Sequence, residues 1–305
     1  MHNWVRTLAS LTPRWPPRRP GDGKLLRLQD IRAMPAGRLR DAARAAMQVA
    51  YLGENRALCR ILGRYKLFID TTDTTLAPHL MFDGYWEVWL TQFLARRVKP
   101  GMTVVDVGAS YGYYSVLMSD LVSATGRCVS IEPNPVICDS LEASLAVNGF
   151  AQRSSVVRCA PTESKHSEVR VFIPHRSPKN AFIMSPAESV DWSKGRAVNI
   201  PSRPLDDVCA GMARVDLVRI DANGMEPAIY DGMKRLIERS KPDIVMRFNS
   251  RRIADPAGFL AAIAVHYPDL RYLDLSGRLK PLSVTDLREK RVQDPVLFLS
   301  QAKNL

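Results

Sequence analysis

From residue 102 onward the chain alternates short, uniformly apolar runs with longer segments whose apolar positions recur every three or four residues. Thr103–Val107, Arg127–Glu132, Ser155–Cys159, Val215–Ile220 and Asp243–Phe248 read as strands, since apolar residues at successive positions suit a strand buried on both faces. Residues 112–125 read as a helix with Gly126 just beyond it. The next helix has Asn134 as N-cap and Pro135 in its first turn. Ile137, Leu141 and Leu145 line one face, and Gly149 follows the last turn. Ile229, Met233, Leu236 and Ile237 mark a helix after the fourth strand, and Pro256–His266 one after the fifth. Arg271–Leu275 and Pro295–Ser300 are candidates for a late antiparallel pair. Apolar strands separated by helices predict an α/β fold, a doubly wound and mostly parallel sheet covered on both faces.

Upstream, Leu39, Ala43, Ala46, Met47 and Ala50 recur at helical spacing, Tyr65–Asp70 reads as a strand, and residues 84–94 read as a helix with aromatic anchors, Trp86 among them. Residues 1–35 place five prolines among arginines and read as a poorly ordered arm. No apolar run follows the basic residues, so the arm does not read as a signal peptide. The expected division is therefore an arm at 1–35, a helical and strand extension at 36–100, and a ligand-binding domain at 101–305. Residues 160–200 interrupt the rhythm with one strand, Val169–Ile173, and a polar excursion over 174–195 that reads as a binding loop.

Composition adds bounds. At 46% hydrophobic and 24% charged residues the chain has ample material for a core, and no apolar stretch is long enough to span a bilayer. Five cysteines without a C-x-x-C pair suit a reducing compartment and argue against a zinc site, so a cytoplasmic location is expected. The net charge of +12 is concentrated: residues 1–40 hold nine basic side chains and two acids. Such an arm suits an anionic partner, and peripheral attachment to an anionic membrane is one expectation. A solvated tail without a specific role is the other. Nucleic acid is disfavoured, because the charge is not interleaved with aromatics and no D/N-P-P-Y signature occurs.

Ligands of open α/β sheets bind beyond the carboxyl ends of the strands. The residues to read there are Asp106-Val107-Gly108-Ala109-Ser110-Tyr111-Gly112, then Glu132-Pro133-Asn134, then Asp221. Glycines let a backbone approach a ligand, and an acid about 20 residues on can accept ribose hydroxyls. A dinucleotide would want G-x-G-x-x-G, yet Ser110 and Tyr113 occupy the second and third glycine positions. Asp106 would repel a pyrophosphate and attract a cationic group, which favours S-adenosylmethionine. Gly108, Ala109, Ser110, Gly112 and Tyr113 are the further cofactor-loop candidates, with Glu132, Pro133 and Asn134 at the second strand end.

These residues resemble a known family. VVDVGASYGYYSV, SIEPNP and VDLVRIDANGMEPAIYDGM, preceded by YKLFIDTTDTTLAPHLMFDGYWE, are similar to the FkbM family of S-adenosylmethionine-dependent methyltransferases, over about residues 65–250. The resemblance implies a Rossmann-like class I methyltransferase fold and O-methylation of a saccharide or glycan intermediate. It implies Asp106, Gly108 and Gly112 as the cofactor loop, Glu132 as ribose ligand, and Asp221 and Glu226 as the fourth-strand motif. Two departures stand out: Asn223 and Arg247 occupy neighbourhoods where the family usually has carboxylates. Arg247 could then pair with an acidic acceptor. Asp221 is the first candidate base and loop residues His175 and His166 the second. Asn180, Trp192 and Trp86 are candidate acceptor contacts, and Tyr111, Tyr113 and Tyr114 candidate walls of the methyl site. No metal motif is expected. A non-catalytic nucleoside-binding module is the alternative function.

Overall fold

The computed structural model describes residues 25–165, 168–184, 189–283 and 294–302. Helices α1 (Leu28–Ala33) and α2 (Ala36–Ala46) precede an antiparallel sheet of β1 (Val49–Gly53), β2 (Arg56–Ile61) and β3 (Tyr65–Asp70), followed by α3 (Ala77–Phe82) and α4 (Val88–Arg97). Ile31 and Leu39 are fully buried, so the chain is anchored from α1 onward and not from residue 36. Residues 1–24, with five of the arm's basic side chains, lie outside the described residues. The helical pattern stops at Ala46 and gives way to β1 and β2. In β2 the inward positions are Ala57, Cys59 and Ile61, an alternation too faint in hydrophobicity to mark a strand by itself.

The core runs β4 (Thr103–Val107), α5 (Tyr113–Leu121), β5 (Arg127–Ile131), α6 (Pro135–Val147) and β6 (Ser154–Val157). Then β7 (Ala160–Pro161) leads into an insertion built on β8 (Val169–Pro174), β9 (Phe182–Ile183) and β10 (Gly195–Ile200), and β11 (Ser202–Arg203) closes it by pairing with β7. The chain returns through α7 (Leu205–Val208), β12 (Leu217–Ile220), α8 (Glu226–Asp231), α9 (Lys234–Ser240), β13 (Asp243–Arg247), α10 (Pro256–His266), β14 (Arg271–Leu273), β15 (Leu279–Pro281) and β16 (Val296–Leu299). The helix expected after the fourth strand is two, α8 and α9, broken at Gly232, whose Cα lies against the Thr162 carbonyl.

The main sheet has the order β6-β5-β4-β12-β13-β16-β14-β15. Strands β6 to β13 are parallel, and β16 is antiparallel to both neighbours. This is the doubly wound, Rossmann-like sheet with a late antiparallel strand. Alternate positions serve opposite faces. Val104, Leu217 and Val245 join the core under α4, α5 and the extension, whereas Val105, Val218 and Ile244 join the core on the far side. Strand order reverses at β4, so the ligand crevice belongs beyond the carboxyl ends of β4, β5 and β12. The extension docks beside it: Lys66 exchanges two backbone hydrogen bonds with the Asn148 amide, and Phe68 N donates to Ser144 Oγ.

Candidate functional site

The loop after β4 is shaped by one close approach. Gly108 has φ +73°, and a Cβ there would sit 2.1 Å from the Asp221 carbonyl oxygen. Glycine alone lets the β4 and β12 loops touch. Gly112, at φ +94°, then turns the chain into α5. At the end of β5, Glu132 is buried. Its Oε2 accepts from Ser110 N and its Oε1 from Asn134 N, both at 2.9 Å. One carboxylate therefore ties the β4 loop to the N-terminus of α6. Burial pushes the Glu132 carboxyl up to about 7, against the two backbone donors.

Beneath the loop lies a charge cluster set by strand register. Arg219 and Asp106 are direct neighbours on β12 and β4, and Asp221 is two residues further on the same face as Arg219. Arg219 Nη1 donates to Asp106 Oδ1 and Nη2 to Asp221 Oδ2, each at 2.8 Å, with the guanidinium 4.3 Å from the Tyr114 ring centroid. Ser115 Oγ donates to Asp106 Oδ2 at 2.6 Å. Arg247 Nε lies 3.3 Å from Asp221 Oδ2, and its Nη2 donates to Glu87 Oε1 at 2.5 Å. Tyr114 OH donates to Glu87 Oε2. Burial disfavours an ionised Asp221, but the guanidiniums of Arg247 and Arg219 outweigh it and hold the carboxyl below its ordinary range. Lys179 also acts on Asp221, so the three carboxylates of Asp106, Asp221 and Glu87 are balanced by two guanidiniums and one ammonium.

The insertion lies over the crevice. Asn134 Nδ2 donates to the Pro178 carbonyl and Asn223 Nδ2 to that of Lys179, while Lys179 Nζ stands 5.8 Å from the Trp86 ring centroid. The trough below is divided into two cavities that share Gly108, Lys179, Asp221 and Asn223. One, about 50 Å³, reaches Glu132, Pro133, Ala160 and Phe182. The other, about 60 Å³, reaches Ser110, Tyr111, Tyr113, Tyr114, Trp86 and Asn180. Ser110 Oγ and Tyr111 OH are buried without partners there. The donor and acceptor set fits a nucleoside: Glu132 keeps lone pairs for hydroxyls, and Ser110 Oγ is unsatisfied.

Several sequence expectations are corrected. Asp106 does not face the ligand: its carboxylate is fully buried and both oxygens are taken by Arg219 and Ser115. Arg247 is not an open donor fork, because Glu87 and Asp221 already engage it. Glu226 is buried and accepts from the Ala222 and Gly224 amides, so it braces the turn and does not reach an acceptor. Asn223 has φ 55°, a left-handed conformation that asparagine tolerates, and it tethers the insertion. His175 is exposed on a separate cleft and shares no cavity with Asp221. Trp192 packs on Phe172 and Arg170, outside the trough. His166 lies outside the described residues.

Ala109, Ser110, Tyr113, Pro133, Asn180 and Trp86 all line the trough. The residues that sequence reasoning passed over are Arg219, Glu87 and Lys179. A signal existed for the first: Arg219 and Asp106 are opposite charges inside two otherwise apolar strands, and buried charges require partners.

Residues 106–265, just over half of the chain, match the family model of the methyltransferase FkbM domain. The chain belongs to the FkbM methyltransferase family. Curated relatives of this chain include protein-L-isoaspartate O-methyltransferase 1 of Arabidopsis thaliana, 34% identical over 77 residues, which are 24% of this chain and 31% of that protein. The protein-L-isoaspartate O-methyltransferase of Methanopyrus kandleri is 31% identical over 77 residues, 25% and 30% of the two chains. The chain thus spans about a third of the length of these relatives. The crystal structure of methyltransferase FkbM from Methylobacillus flagellatus overlaps 70% of this chain and 54% of that one at 18% identity and a TM-score of 0.42. A Bacillus cereus O-methyltransferase in complex with SAH overlaps 68% and 78% at 12% identity and a TM-score of 0.38.

Proposed function

We propose that the protein transfers a methyl group from S-adenosylmethionine to a hydroxyl of a saccharide or glycan intermediate. The observation that carries the cofactor reading is Glu132, held at the end of β5 by Ser110 N and Asn134 N, with Gly108 at the neighbouring strand end. Glu132 would hold the ribose hydroxyls, Pro133, Ala160 and Phe182 would enclose the base, and Ser110 Oγ would receive the ammonium of the tail. When bound, the cofactor supplies a methyl group on a sulfonium, a leaving group that needs no metal.

The residues of the chain then have to present an oxygen. Asp221 Oδ2 is fixed by Arg219 and Arg247, and Oδ1 remains to accept from an acceptor hydroxyl. Held ionised by two guanidiniums, Asp221 orients the hydroxyl more than it deprotonates it, and orientation can supply much of the acceleration. Trp86 and Tyr111 with Lys179, Asn180 and Asn223 offer the mixture of aromatic faces and polar groups that sugar rings require, which supports a saccharide acceptor. The test is release of S-adenosylhomocysteine on addition of saccharide acceptors, with the methylated product identified by mass. Turnover with isoaspartyl peptides and with no saccharide would replace this acceptor assignment.

A further inference from the structure

Beside the trough lies a second cleft of about 670 Å³. Three parts of the chain meet there: the loop after β3 (Asp70, Thr72, Thr74), the start of α6 (Asn134), and the insertion (Arg176, Arg196). Thr74 N and Oγ1 both donate to the Arg176 carbonyl, which fixes the loop against the insertion. Among the described residues neither the Arg176 nor the Arg196 guanidinium has a carboxylate partner, and both are exposed. By contrast Arg219 and Arg247, in the trough, are fully engaged by carboxylates. Guanidinium charge available to a ligand therefore sits in the cleft and not at Arg247.

The cleft and the trough are adjacent. Asn134 lines the cleft and holds Pro178, which also lines it, over the crevice. The loop from Asp70 runs directly on to Leu76, which lines the trough beside Tyr111 and Trp86. A volume of this size is in the range of small-ligand sites. Its lining combines two guanidiniums, which can fork onto an anion, with the Asp70 carboxylate and the Thr72 and Thr74 hydroxyl oxygens, which can accept from ring hydroxyls.

We infer that this cleft binds an anionic saccharide unit, carrying a carboxylate or a phosphate, of the acceptor whose reacting hydroxyl lies in the trough. The inference rests on the methyltransferase reading above, and it moves the recognition of negative charge from Arg247 to Arg176 and Arg196.

The experiment uses the full chain saturated with S-adenosylhomocysteine and titrates three probes by calorimetry: a glucuronyl disaccharide, its neutral methyl ester, and glucose 1-phosphate. The wild type should bind the uronate or the phosphate more tightly than the ester, and the preferred probe identifies the anion. The double variant Arg176→Gln/Arg196→Gln should lose about tenfold in affinity for that anionic probe, as expected for charge-assisted hydrogen bonds. Its affinities for the ester and for S-adenosylhomocysteine should not change. Equal binding of anionic and neutral probes by the wild type, or an intact charge preference in the double variant, would overturn the inference. Failure of the wild type to bind S-adenosylhomocysteine would instead overturn the methyltransferase reading.

Discussion

Glu87 and Arg247 stand 160 positions apart in the chain and share a 2.5 Å hydrogen bond from Nη2 to Oε1. The contact explains an apparent loss in the sequence. Where a carboxylate is expected near the end of β13 the chain has Arg247, yet a carboxylate is supplied to the same place by Glu87, from the extension. Glu87 adopts φ 34°, a left-handed conformation unfavourable for a side chain with a Cβ, and begins α4 from it. Its carboxylate meets both Arg247 and Tyr114.

Glu87 and Arg247 should therefore be energetically coupled. A double-mutant cycle of Glu87→Gln and Arg247→Gln, measured by urea unfolding, should give a coupling of about 1–3 kcal/mol. Additive effects would show that the contact contributes nothing to the fold.

Arg219 is the most demanding position in the cluster. Its side chain is 7% exposed and compensates Asp106, which is fully buried, and Asp221. Arg219→Met should destabilise the protein by about 3–5 kcal/mol, the usual penalty for leaving buried charges unpaired. Arg219→Lys should recover part of the loss, since it restores the charge without the fork. A methionine variant as stable as the wild type would contradict the pairing.

Gly108→Ala should be damaging on geometry alone. The left-handed φ disfavours alanine by roughly 1–2 kcal/mol, and relieving the overlap with the Asp221 carbonyl adds roughly 1–3 kcal/mol. Thermal unfolding without ligand reads the sum, and an unchanged midpoint would mean that the two loops can separate freely.

The sheet was legible because its strands are apolar on both faces, a pattern that few other structures produce. The late antiparallel pair and the helix Pro256–His266 also lie where the sequence pattern put them. The extension sheet was legible only in β3, since β1 is largely exposed and β2 buries only Ala57, Cys59 and Ile61. In the site, the loop glycines and Glu132 were found from spacing along the chain. The roles of Asp106, Glu226 and Arg247 were misread because spacing does not say which way a side chain points or what already holds it. Glu87 and Lys179 reach the site from the extension and the insertion, and no local motif announces a contact made over such separations.

Glu132 carries the central claim, and the pH dependence of ligand binding tests it. Burial raises its carboxyl to about 7, so in the ligand-free fold stability falls as pH rises from the ordinary carboxylate value of 4.5 through about 7. Ribose hydroxyls donate to the ionised form, so a proton on Glu132 competes with the ligand below about pH 7. Calorimetry with S-adenosylhomocysteine between about pH 5.5 and 8 should show affinity falling by up to about tenfold per pH unit below that value. Glu132→Gln should bind about tenfold or more weakly at pH 8 and lose the pH dependence. Absence of binding by the wild type across the range, or an affinity unchanged by Glu132→Gln, would contradict the assignment of this trough to the cofactor.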